Sequence, residues 1–195
     1  MKKAFLLVVI LFVSVISTAC INNLAVQELN NKAKTYLDSG DYENAIGRLK
    51  SSIDLDSTMF ETHYNLGIAY TQAEKYPEAV ETFKNAIKLK PSFADTYYSL
   101  AVAQENYAHG IIDGTLKTDD KATEDKPKVD EEESPVDKKL TKEEKAQVAQ
   151  LINDSITSYS TYLEKSKDAN DKQDVEQKIE YLKTQGLKYA PATAE

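Results

Sequence analysis

The chain has 195 residues, 41% apolar and 29% charged, with 32 acidic against 24 basic side chains and a net charge of −8. Such a length holds about one to one and a half domains. The acidic balance argues against nucleic acid, whose phosphates demand basic patches, and against adsorption to anionic lipid through side-chain charge. One cysteine rules out an internal disulfide framework.

The first predicted element is a targeting segment. Lys2 and Lys3 form a basic start, and Ala4 to Ile16 reads AFLLVVILFVSVI, the length of a signal-peptide core and short for a bilayer span. Small residues Ser17, Thr18 and Ala19 run directly into Cys20, the single cysteine. The arrangement resembles a bacterial lipobox, with Ser17 in place of the usual leucine. That resemblance implies cleavage between Ala19 and Cys20 and acylation of Cys20, with residues 1–19 removed. Two plainer readings stand beside it: an ordinary signal peptide with a cysteine just past the cut, and an uncleaved anchor. Acyl chains contribute ~0.8 kcal/mol per buried CH₂, so more than one chain anchors stably. The implied location is across the inner membrane and lipid-anchored: the periplasmic face of the outer membrane in a Gram-negative cell, given Ile21 after the cysteine, and otherwise the outer face of the cytoplasmic membrane. Without Lys2 and Lys3 the mature part has 22 basic and 32 acidic side chains, a net of −10. Ile21 to Asn23 leave a tether of roughly 10–15 Å before the first helix.

A period of 34 follows. Residues 63–91 read HYNLGIAYTQAEKYPEAVETFKNAIKLKP. His63, Leu66, Gly67, Tyr70, Ala79, Phe83 and Pro91 fall on the pattern W-x₂-L-G-x₂-Y…A-x₃-F…P, with His63 at the aromatic place. Thirty-four residues earlier stand Ala33, Tyr36, Ala45, Leu49 and Ile53, with Lys32 for the leucine and Ser57 for the proline. Thirty-four later, Tyr97, Leu100 and Ala101 begin a third copy that breaks off at Tyr107. The chain thus resembles the tetratricopeptide-repeat (TPR) family, with repeats at 26–59 and 60–93 and the first helix of a third at 94–109. The resemblance implies an all-α helical-hairpin solenoid. Small residues at Ala33, Gly67 and Ala45, Ala79 let paired helices approach closely, and Tyr36, Tyr70, Leu49 and Phe83 fill the space between pairs. Pro77 suits a first helical turn, and Ser92 with Asp95 suits a capping start.

Residues 110–140 change character. The stretch 113–139 has ten acids, six bases and two prolines. It buries too little to offset its ordering entropy and reads as a disordered acidic insertion. An acidic docking or cation-buffering tract is the functional alternative; EF-hand spacing is absent. Thr141 and Glu144 then form a capping-box pattern. Val148, Leu151, Ile152, Ser155, Ile156, Tyr159, Tyr162 and Leu163 recur at helical spacing, resembling the missing second helix of repeat three over about 141–166. A loop near thirty residues instead of three costs about 2 kcal/mol, which burying Tyr159, Tyr162 and Leu163 offsets. A last helix, about 171–187, shows Val175, Ile179 and Leu182 on one face and polar residues elsewhere, as a capping helix does. Residues 189–195 form a tail.

Catalytic chemistry finds no foothold in the sequence. There is no nucleophile elbow, phosphate loop or metal-ligand spacing. His63 falls at a packing position of the repeat, and His109 at a helix end where a cation suits the dipole. No enzyme, cofactor, metal site or small-molecule substrate is expected. The TPR resemblance implies a concave groove lined by Asn30, Lys34, Tyr64, Ile68, Gln72, Tyr98, Val102 and Glu105. An apolar and aromatic middle with a polar rim suits an extended peptide or a helix; the bland alternative is packing against the insertion or the last helix. The places of the family's carboxylate clamp carry Asn30, Lys34, Asn65, Asp95 and Ser99, and Asp95 would repel a carboxylate. The sequence reading is therefore a membrane-anchored scaffold that docks a protein or peptide, the alternative being a self-assembling structural lipoprotein.

Overall fold

The computed structural model describes residues 23–116, 140–166 and 170–189. The signal segment, Ala19 and Cys20, insertion residues 117–139 and the tail from 190 lie outside the described residues. Seven helices and no strands are present among the described residues. They divide into two units, 23–91 and 92–189.

The first unit holds α1 (23–38), α2 (Tyr42–Leu55), α3 (Phe60–Gln72) and α4 (Tyr76–Leu89). Small residues make the helix contacts, as the repeat pattern requires. Ala33, Ala45, Ala69, Ala79 and Ala86 are wholly buried, and Leu49 and Phe83 fill the space beside them. Gly67 is the tightest approach: a Cβ placed there would lie 2.5 Å from Phe83 Cε1. His63 is buried and its Nε2 lies 2.9 Å from the Ser57 carbonyl oxygen, so the non-aromatic repeat position is filled by a hydrogen-bonded ring. Lys32, in the leucine place, stays exposed and pairs with Glu28 at 2.6 Å. Pro77 sits in the first turn of α4 as expected.

The two turns inside these pairs superpose in chemistry at an offset of 34. The Asp41 amide donates to the Tyr36 carbonyl and the Lys75 amide to the Tyr70 carbonyl, both at 2.9 Å. Each turn needs one left-handed residue, Gly40 at φ 77° and Glu74 at φ 59°. Glycine adopts that conformation freely, whereas a side chain is strained there. Glu74→Gly is accordingly expected to raise stability by about 0.5–1 kcal/mol, read by urea unfolding; a loss would mean the turn is not strained.

The second unit holds α5 (Ala94–Ile112), α6 (Lys142–Lys165) and α7 (Lys172–Gly186). The left-handed stop of the earlier repeats would fall at position 108. Ala108 is there, buried and helical, and α5 runs on to Ile112, past the 109 boundary read from the sequence. Ile111, wholly buried, explains the extra turn. The helix ends instead at Gly114, φ 75°, and Leu116 folds back with its amide donating to the Gly110 carbonyl at 2.9 Å. Helix α6 is longer than its counterparts too, 24 residues against 14 in α2 and α4. Its added turns bring Val148 and Leu151 into one core with Ala108 and Ile111. The third hairpin is thus an extended pair, and the extra burial offsets the long connection.

Helix α6 begins with the capping box read from the sequence. The Glu144 amide donates to Thr141 Oγ1 at 3.1 Å and the Thr141 amide to Glu144 Oε2 at 2.8 Å. The start of α5 differs from the expected Ser92 cap: Phe93 is the capping residue, without a side-chain bond to the first turn. Ser155 Oγ donates to the Ala101 carbonyl at 3.0 Å, so the small residue at the close approach of α5 and α6 also makes a hydrogen bond. Tyr159 takes the place that Phe83 holds in repeat two and is 2% exposed. Val175, Ile179 and Leu182 bury the inner face of α7.

Candidate functional site

The second unit contains a cleft of about 340 Å³ walled by α5, α6 and α7. Helical spacing places its lining. Tyr98, Val102 and Glu105 follow at i, i+4 and i+7 on α5, and Asp171, Asp174, Val175 and Lys178 share a face at the start of α7. Tyr159 of α6 contributes the base. Three of the residues placed in the groove from the sequence, Tyr98, Val102 and Glu105, line this one cavity. Tyr98 is 38% exposed at its mouth. Its ring packs edgewise on Tyr159 at 5.4 Å and on Tyr162 at 5.3 Å.

Glu105 organises the polar side. It is 7% exposed, and a buried carboxylate is costly unless paired. Lys178 Nζ stands 2.8 Å from Oε1, the Tyr159 hydroxyl donates to Oε2 at 3.3 Å, and His109 Nε2 is 3.8 Å away. Burial, then the Glu105 charge, pushes the Tyr159 hydroxyl well above the ordinary tyrosine range. Burial and the bond it donates to Asp171, at 2.9 Å, push the Tyr162 hydroxyl up as well. These hydroxyls are held as donors, with no tendency to act as bases.

The remaining residues expected in the groove belong to the first unit. Lys34 and Gln72 are exposed, and Ile68 is half-buried. Tyr64, half-buried, stacks on Phe60 at 5.9 Å and tilts against Phe83 at 6.1 Å. Asn30 is engaged within its own unit. Its amide nitrogen lies 3.2 Å from Ser52 Oγ and 3.0 Å from Thr62 Oγ1, so it ties α1 to α2 and α3 and is not left free for a ligand. The α7 wall was not read from the sequence. The repeat pattern assigns no ligand positions to a closing helix, and the only available signal was the spacing of Asp171, Asp174, Val175 and Lys178. Among the described residues no group of three or more His, Cys, Asp or Glu side chains could hold a metal ion, and no helix is long and apolar enough to cross a membrane.

The family model of the TPR repeat matches residues 33–73 and 69–106. Residues 33–106 therefore match the TPR repeat. The chain's all-α fold is of the TPR helical-hairpin solenoid class. Solved structures, TPR domains among them, resemble it over most of its length. The first TPR domain of human RPAP3 is 15% identical, with 84% of this chain and 95% of that one covered at a TM-score of 0.58. The first TPR of Spaghetti (RPAP3) bound to the HSP90 peptide SRMEEVD is 16% identical, covering 83% and 94% at 0.57. The Yersinia enterocolitica type III secretion chaperone SycD, in complex with a peptide of the translocator YopD, is 10% identical, covering 84% and 94% at 0.53. At these identities the likeness is one of fold. No curated protein matches the sequence.

Proposed function

We propose that this TPR protein is a docking scaffold of the cell envelope, anchored by lipid on Cys20, that receives a protein or peptide in the cleft of α5, α6 and α7. The observation that carries the docking half is the cleft itself: an open cavity of about 340 Å³ with an exposed aromatic at its mouth and apolar Val102 and Val175 in its walls. Docking sites combine such apolar anchors with a few placed polar groups. Similar solved structures hold peptides, SRMEEVD in a TPR domain and a segment of YopD in a secretion chaperone. The anchoring half rests on the sequence of residues 1–20, and with it the location: the periplasmic face of the outer membrane in a Gram-negative cell, otherwise the outer face of the cytoplasmic membrane.

Two experiments separate the halves. Metabolic labelling with an alkyne fatty acid is expected to mark the wild-type chain and leave Cys20→Ser unmarked and released from membranes; equal membrane association of both would end the lipid reading. Affinity capture from detergent-solubilised membranes is expected to recover a companion protein with wild type and to lose it with Val102→Asp; a companion retained by Val102→Asp would place docking elsewhere. The alternative, a self-assembling structural lipoprotein, draws on the exposed Tyr181 and Leu187 on and after α7, and a concentration-dependent sedimentation shift would favour it.

A further inference from the structure

We infer that the occupant of the α5–α6–α7 cleft presents a cationic side chain, lysine or arginine, on an otherwise apolar segment of a separate polypeptide. The inference rests on the docking reading above and adds the chemistry of the partner. Three carboxylates line the cleft, Glu105, Asp171 and Asp174, against the single ammonium of Lys178, a net charge of −2 by that count. Lys178 is committed to Glu105 at 2.8 Å. Among the described residues the Asp171 carboxylate accepts from a neutral hydroxyl, that of Tyr162. Asp174 is exposed and has no ion-pair partner among the described residues. The cleft therefore carries two carboxylates that no cation of the described chain neutralises.

The other lining completes a site for a long cation. Val102 and Val175 offer apolar surface for the methylene stem of lysine or arginine, which buries its stem while its head seeks polar groups. Tyr98 offers an aromatic ring at the mouth, and a cation over such a ring is attracted to its face. The protein already uses that pairing: Lys165 Nζ lies 5.2 Å from the Tyr97 ring, and Lys90 Nζ 4.9 Å from the Phe60 ring. Charge also excludes the nearest competitors. Segment 113–139 of the same chain has ten acids and six bases, a net of −4, and a second mature copy, without Lys2 and Lys3, carries −10. Both are repelled by the carboxylates that attract a basic segment, as is a ligand bearing a free C-terminal carboxylate.

The test is an NMR titration of the isotope-labelled full-length chain in detergent, with acetyl-Leu-Lys-Leu-amide and its Gln and Glu counterparts as probes. The amides of Val102, Asn106 and Val175 report on the cleft. The lysine probe is expected to shift them and to bind about 10-fold more tightly than the glutamine probe, with glutamate weakest and the preference shrinking at high salt. Asp174→Asn should narrow the lysine preference and Asp174→Lys should invert it; both change an exposed residue and leave the buried Glu105 pair in place. Equal binding of all three probes at these amides would overturn the cation inference while the docking reading stands. Shifts from none of them would overturn both.

Discussion

Phe83→Ala is expected to cost about 3–5 kcal/mol, the range for removing a fully buried phenylalanine from a core that cannot collapse. Phe83 is wholly buried in α4, and its ring occupies the space that glycine leaves open at position 67. Three ring atoms would lie 2.5, 2.7 and 2.8 Å from a Cβ at Gly67. Gly67→Ala gains up to about 1 kcal/mol of helix propensity, but the ring has nowhere to retreat, and overpacking costs about 1–3 kcal/mol. Gly67→Ala should therefore destabilise the wild-type chain and stabilise the Phe83→Ala variant. The change of sign, read by urea unfolding under circular dichroism, is the diagnostic. A Gly67→Ala substitution that stabilises the wild type would show that α3 and α4 are not in close contact there.

Tyr159→Ala should cost a similar ~3–5 kcal/mol, since Tyr159 is the repeat-three counterpart of Phe83. Tyr159→Phe isolates the hydroxyl, and losing one hydrogen bond to a charged group costs about 1.5–3 kcal/mol at most. The 3.3 Å length of the bond to Glu105 puts the loss at or below the lower end of that range. Its pH dependence is more telling. In the unfolded chain the hydroxyl titrates near 10, while in the folded chain burial and the Glu105 charge hold the proton to higher pH. Above pH 10 the folded state binds more protons than the unfolded one, so stability is complete below that point and falls as pH rises beyond it. Tyr159→Phe should flatten the fall. Equal alkaline slopes for the two proteins would show that Tyr159 is not the buried titrating group.

Most of the fold was legible because packing in this family is written at fixed spacing. Leu66, Gly67, Tyr70, Ala79 and Phe83 specify α3 and α4 almost alone, and Thr141 with Glu144 marks the start of α6 to the residue. Nothing in the 34-residue period says where a third repeat stops once its turn residues are gone, so the extension of α5 through Ile111 could be seen only in its packing with Val148. Ser92 resembled a cap, yet the chain reaches helical geometry one residue later. Asn30 sits at a ligand-facing place of the family pattern, but Ser52 and Thr62, 22 and 32 residues away, claim its amide. Glu105 reads as one more groove position in sequence. Its pairing with Lys178 and Tyr159 needed three helices brought together, which no local signal encodes.

The central claim is that the cleft beside Tyr98 docks another protein, and site-specific photocrosslinking in the producing cells tests it most directly. A crosslinking amino acid replaces Tyr98 in one strain and exposed Arg48 of α2 in another, with products identified by mass spectrometry. Capture of one distinct protein from position 98 and not from position 48, through a lysine- or arginine-bearing segment, is the predicted result. Capture of this chain alone, or of nothing, from position 98 would contradict the docking account and move self-assembly ahead of it.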